Sequence, residues 1–128
     1  MNMEHIFENA IKMICIMEHE QLPVREFIAA YSANFEPANL QNLIPPECRE
    51  HDHFAESAYV FVVGSYLYQM IEGKPVTWLE RRRFAKYPHF MELFCRTLCS
   101  NPKRRFQSLN ELRIYVHRLY ARLFGKIL

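Results

Sequence analysis

From Ser57 to Ile71 the chain carries no Asp, Glu, Lys, Arg or His. A run of that length suits a helix buried on most of its sides, and it falls short of the about 20 apolar residues that a bilayer crossing needs. The stretch Phe54–Pro75 is therefore predicted to be the central helix of a small helical domain. Its end is marked by Glu72-Gly-Lys-Pro75: glycine tolerates the left-handed conformation at a helix C-terminus, and proline two residues later cannot extend the ladder. The remainder of the chain has to cover this helix.

At 128 residues, 50% of them hydrophobic, the chain is long enough for one compact domain, residues 1–128, with a core that needs neither disulfide nor metal. Cys15, Cys48, Cys95 and Cys99 contain no C-x-x-C spacing, and the expectation is buried free thiols. The first residues, Met1-Asn-Met-Glu-His5, show no basic stretch followed by an apolar one, so a cytoplasmic location is expected. The net charge of +2 hides an asymmetry: residues 1–77 hold 4 basic and 11 acidic groups, residues 78–128 hold 12 and 3. Halves of −7 and +9 either attract one another on folding or face different partners.

Around the central run the pattern is helical throughout. Ile6, Phe7, Ala10, Ile11, Ile14 and Met17 recur at steps of three and four over residues 3–18, which predicts an amphipathic helix. Leu22-Pro23 breaks it, and Val24, Phe27, Ile28, Tyr31 and Phe35 trace a second stripe, so the two form a helical hairpin. A short helical turn is expected around Ala38–Leu43, between two proline signals, and a polar loop over Glu47–Phe54. After Pro75, Thr77 is placed to cap a basic helix from Trp78 to Lys86, and a further helix spans His89–Ser100 with Phe90, Leu93, Phe94, Thr97 and Leu98 on one side. The last helix has the best local signals: Ser108 and Glu111 spaced as a capping box, Leu112, Tyr115, Val116, Leu119, Tyr120 and Leu123 in register, and Gly125 to close it. With no strand-period alternation or internal repeat, the fold class is all-α.

Three motifs, in order, carry a resemblance. Ile44-Pro-Pro-Glu47, the run from Ser57 to Pro75, and Leu98-Cys-Ser-Asn-Pro-Lys-Arg-Arg105 resemble the Ala-Pro-Glu motif, the buried central helix and the Asp-Pro-x-x-Arg motif of the protein kinase C-terminal lobe. The similarity covers residues 44–120. It implies a structural, non-catalytic ion pair between Glu47 and Arg105. The sequence also departs from the family: Tyr59 stands where the central helix has an aspartate that holds the catalytic loop, and Asn101 and Phe106 replace the Asp and final Pro. Val24-Arg-Glu26 is the one candidate remnant of the catalytic loop, with Asn34 or Asn39 after it. Three scattered glycines form no phosphate loop, and neither a strand lysine nor Asp-Phe-Gly is present. The chain is accordingly read as no enzyme and as needing no cofactor.

A catalytically empty lobe of this kind is similar to the kinase non-catalytic C-lobe domain found in Spire-type actin nucleators and related scaffold proteins. The resemblance implies a protein–protein interaction module whose partner is a cytoskeletal regulator or a kinase, without a membrane partner. The alternative is a regulatory decoy that binds or inhibits a genuine protein kinase. Trp78, Arg81, Arg82, Arg83 and Lys86 are the preferred partner-binding residues. Together with Lys103 and Arg104 they also suggest nucleic-acid binding as a distant third, against which stands the plain reading of a solvated basic face. His51-Asp-His53 with Cys48 or His89 has metal-ligand residue types, but two histidines in a polar loop are ordinarily solvated, and no metal is expected. Cys15 or Cys48 as a nucleophile would need a placed histidine base, which the sequence does not indicate.

Overall fold

The computed structural model describes residues 2–73 and 90–128. Among them every regular element is helical and no strand occurs. Five α-helices follow in order: α1 (Met3–Glu20), α2 (Val24–Tyr31), α3 (Glu56–Glu72), α4 (Met91–Thr97) and α5 (Leu109–Phe124). Short 3-10 turns at Ser32–Phe35, Leu40–Leu43, Pro46–Cys48 and Pro102–Arg104 connect them. No helix among the described residues is long and apolar enough to cross a membrane.

The long charge-free run is the hub. α3 packs against α1, α4, α5 and the Leu40–Leu43 turn, and every residue from Ala58 to Tyr68 is buried. Phe54 lies before the helix and is 38% exposed; the helix proper starts at Glu56, two residues after the expected start. Gly73 closes it with a φ of 75° and returns its N–H to Gln69, the conformation for which a glycine is suited. Inside the helix Gly64 serves another purpose. A Cβ there would collide with the side chain of Thr97, so the missing side chain lets α4 come close to α3.

α1 buries Ile6, Phe7, Ala10, Met13, Ile14 and Met17; Met13 joins the expected stripe, and Ile11 sits at its edge. Its N-cap is Asn2, whose Oδ1 accepts from the backbone N–H of His5 at 2.8 Å. The helix ends when Gln21 turns left-handed, with φ 52°, and donates to the Met17 carbonyl; Leu22-Pro23 follows that stop rather than making it. α5 ends in the same manner at Gly125, φ 67°.

Some expectations change. The Ala38–Leu43 turn narrows to a 3-10 turn from Leu40. The His89–Ser100 helix is only Met91–Thr97; the Arg96 carbonyl near its end is taken by the Phe106 N–H, and the Thr97 hydroxyl donates to the Leu93 carbonyl. All four cysteines are free, but Cys48 alone is buried; Cys15 and Cys95 are exposed and Cys99 is half-buried. On α1 and α4 the thiols fall on the outward side, where periodicity rather than the apolar character of cysteine decides burial. The Trp78–Lys86 helix, its Thr77 cap and His89 lie outside the described residues.

Candidate functional site

Among the described residues the most highly connected polar group is Arg105. Its side chain is fully buried, and a guanidinium in that position has five N–H donors to satisfy. Each finds an acceptor. Nη1 donates to Glu47 Oε2 at 2.5 Å and to the Ser57 carbonyl at 3.1 Å. Nη2 donates to Glu47 Oε1 at 3.0 Å and to the Ser100 carbonyl at 3.4 Å, and Nε donates to the Cys99 carbonyl at 2.7 Å. The Phe61 ring lies 4.8 Å from the guanidinium carbon, in cation–π range.

Local sequence explains the geometry. Pro46 starts the 3-10 turn that presents Glu47, and Asn101 accepts the Lys103 N–H at 3.0 Å to set the turn before Arg105. Cys99 and Ser100 lie just beyond the end of α4, where carbonyls have no helical partner and cations are favoured. The paired carboxylate, the first turn of α3 and the end of α4 thus meet on one side chain. A bidentate, desolvated pair of this sort holds three segments in register and leaves no free acid or base for chemistry.

The beginning of α3 makes further ties. Glu56 Oε1 accepts the N–H of Leu109, the first residue of α5, at 3.1 Å. Ser108 caps the same helix through the Glu111 N–H at 3.0 Å. The reciprocal half of the capping box shifts by one residue, since Glu111 Oε2 accepts from Gln107 N at 3.2 Å while its Oε1 takes the Arg96 guanidinium at 2.8 Å.

Tyr59, at the position where the resemblance implies an aspartate, is wholly buried, and its hydroxyl donates to the Leu22 carbonyl. Burial first, and then the Asp52 charge, push that phenol well above its ordinary value. Nearby, Asp52 Oδ1 accepts the Arg25 N–H at 2.8 Å and the His53 carbonyl accepts the Val24 N–H at 3.2 Å. Val24, Arg25 and Glu26 are the first turn of α2, with Arg25 and Glu26 exposed. A catalytic base would have to be presented from a loop toward substrate, and Glu26 on an outward helical turn is placed otherwise.

His53 lies near a buried thiol: its Nδ1 is 3.8 Å from Cys48 Sγ. The same nitrogen is 2.9 Å from the His51 carbonyl, an oxygen that only accepts, so Nδ1 carries the proton and has no lone pair to offer the thiol. Burial, and secondarily the Glu47 carboxylate, push the Cys48 thiol up to about 11. Cys48 is a core residue and not a nucleophile, since the reactive form is the thiolate. No group of three His, Cys, Asp or Glu able to hold a metal occurs among the described residues.

Of the residues expected to meet a partner, Trp78, Arg81, Arg82, Arg83 and Lys86 lie outside the described residues, and Lys103 and Arg104 are exposed on the Pro102–Arg104 turn. Tyr120 is buried and Phe124 half-buried, both against Phe7, so the aromatic end of α5 belongs to the core. Neither family models, nor curated proteins, nor solved structures yield a match to this chain.

Proposed function

We propose that the chain is a non-catalytic protein–protein interaction module built like the C-terminal lobe of a protein kinase. The observation that carries the reading is the bidentate Glu47–Arg105 pair, which joins the Ile44-Pro-Pro-Glu47 segment, the first turn of the buried helix and the Pro102–Arg104 turn. The three motifs of the resemblance converge there. The sequence lacks the phosphate loop, the strand lysine and the metal-binding Asp-Phe-Gly, which supports binding without turnover.

Capture of partners from lysate by the tagged full chain, identified by mass spectrometry, tests this reading together with a Mg·ATP thermal shift. A specific protein partner and no nucleotide shift are expected. A shift of the melting temperature by Mg·ATP, or phosphate transfer that survives repurification, overturns the non-catalytic assignment. Arg81, Arg82 and Arg83 are the first residues to reverse to Glu, and Trp78→Ala separates a docking anchor, whose loss would shorten the lifetime of the complex, from a core residue, whose loss would unfold the chain. Recovery of a protein kinase would select the decoy form of the proposal over the scaffold form.

A further inference from the structure

Between α4 and α5 lies an open groove of about 280 Å³, lined by Glu92 and Arg96 from α4 and by Tyr115, Arg118, Leu119 and Arg122 from α5. We infer that this basic groove binds an acidic peptide segment of a partner protein. The inference rests on the reading of the chain as a binding module, and it places the contact on described residues that the sequence did not single out.

The charges are unbalanced. Arg96 is engaged by Glu111 at 2.8 Å and faces Glu92 at 3.7 Å, while Glu92 also accepts the Tyr115 hydroxyl at 3.3 Å. Those groups neutralise one another. Arg118 and Arg122, one helical turn apart and both exposed, have no acid within ion-pair distance among the described residues. Like charges at that spacing repel, and a carboxylate seated between them removes the repulsion while gaining charge-assisted hydrogen bonds.

The surroundings favour a peptide over other polyanions. Leu119 is buried at the floor of the groove, and the half-buried Tyr115 ring gives it an apolar wall for the aliphatic part of a bound segment. Ile114, 43% exposed, precedes Tyr115, and Met91, 38% exposed, precedes Glu92. Each lies on one of the two helices that form the groove, which suits a segment carrying aliphatic as well as acidic side chains. A nucleic-acid strand would instead ask for a continuous basic track with free aromatic faces; here Glu92 interrupts the positive charge and the Tyr115 ring packs on Phe106.

The test is fluorescence anisotropy with the full chain and a fluorescein-labelled peptide that alternates glutamate pairs with single leucines. A glutamine-for-glutamate version and single-stranded DNA of similar length are the controls. Wild type should bind the glutamate peptide with an affinity that falls as salt rises, and bind the glutamine version much more weakly. Arg118→Glu/Arg122→Glu should weaken binding by about 100-fold at low salt, from about tenfold per reversed charge. Both side chains are exposed and have no ion-pair partner among the described residues, and circular dichroism verifies that the variant folds. The inference is overturned if wild type fails to bind the peptide, if the reversal leaves binding unchanged, or if DNA competes as well as the peptide and is lost in the same variant. Partner capture from lysate that survives the Arg118/Arg122 reversal but is lost on reversing Arg81–Arg83 would overturn the groove as the docking site while leaving the module reading intact.

Discussion

At the scale of single residues, Arg105 and Glu47 are unequal members of one pair. Arg105 has no exposed side-chain surface, whereas Glu47 retains 22%, and the arginine additionally serves three carbonyls. Removing one partner of a buried pair costs about 3–5 kcal/mol because the other charge is left unmatched. Arg105→Met should therefore sit toward the upper end of that range and Glu47→Gln toward the lower. The double variant should cost less than the sum of the two, as measured by urea unfolding; additive losses would dissolve the pair as a unit. Thiol accessibility gives a second prediction. Native protein treated with iodoacetamide should be modified at Cys15 and Cys95, with Cys48 reacting only when the chain unfolds, as peptide mapping by mass spectrometry will read. Early labelling of Cys48 would contradict its buried, raised-pKa environment.

At the scale of elements, the approach of α4 to α3 depends on a missing side chain. Gly64→Ala drives a methyl group into Thr97, and overpacking of this kind typically costs about 1–3 kcal/mol, outweighing the gain of about 1 kcal/mol expected when a glycine inside a helix becomes alanine. A lower thermal midpoint is expected, and a higher one would show that α4 can slide. The helices themselves were readable from sequence, since apolar spacing, the Ser108 cap and the glycines Gly73 and Gly125 are local signals. The interior of the Glu47–Phe54 stretch was not. Cys48 is buried there, as expected of a free thiol, but Asp52 and His53 act on α2 through partners far along the chain, which no local pattern records. The groove of α4 and α5 was equally hidden, because Arg96 is separated in sequence from Arg118 and Arg122 and only the packing of two helices makes them neighbours. The Glu47–Arg105 contact, in contrast, was anticipated through a resemblance and not through any rule of spacing.

At the scale of the whole molecule, several buried groups favour their protonated forms. Burial raises the Tyr59 and Tyr66 phenols, and the Cys48 thiol moves from 9.0 to about 11. A folded-state pKa above the unfolded one contributes stability that is complete below the unfolded value and is lost as pH rises through the folded value. Urea midpoints should therefore hold below pH 9 and fall as the pH climbs through about 11. Cys48→Ala should flatten the first part of that decline relative to its own neutral-pH stability; an unchanged slope would remove the thiol from the account. The way α2 is held has a kinetic consequence as well. It has 8 residues and no side-chain cap of its own, and isolated helices shorter than about 12–15 residues are marginal in water. The Arg25 N–H meets its carboxylate 27 positions away, so the first turn of the helix stays uncapped until that loop has closed. In refolding, Asp52→Ala should accelerate unfolding and leave the folding rate nearly untouched, a φ-value near zero by stopped-flow. The segment would then join a nucleus already assembled by α1, α3 and α5, making α2 the last of these helices to fold and the first to open.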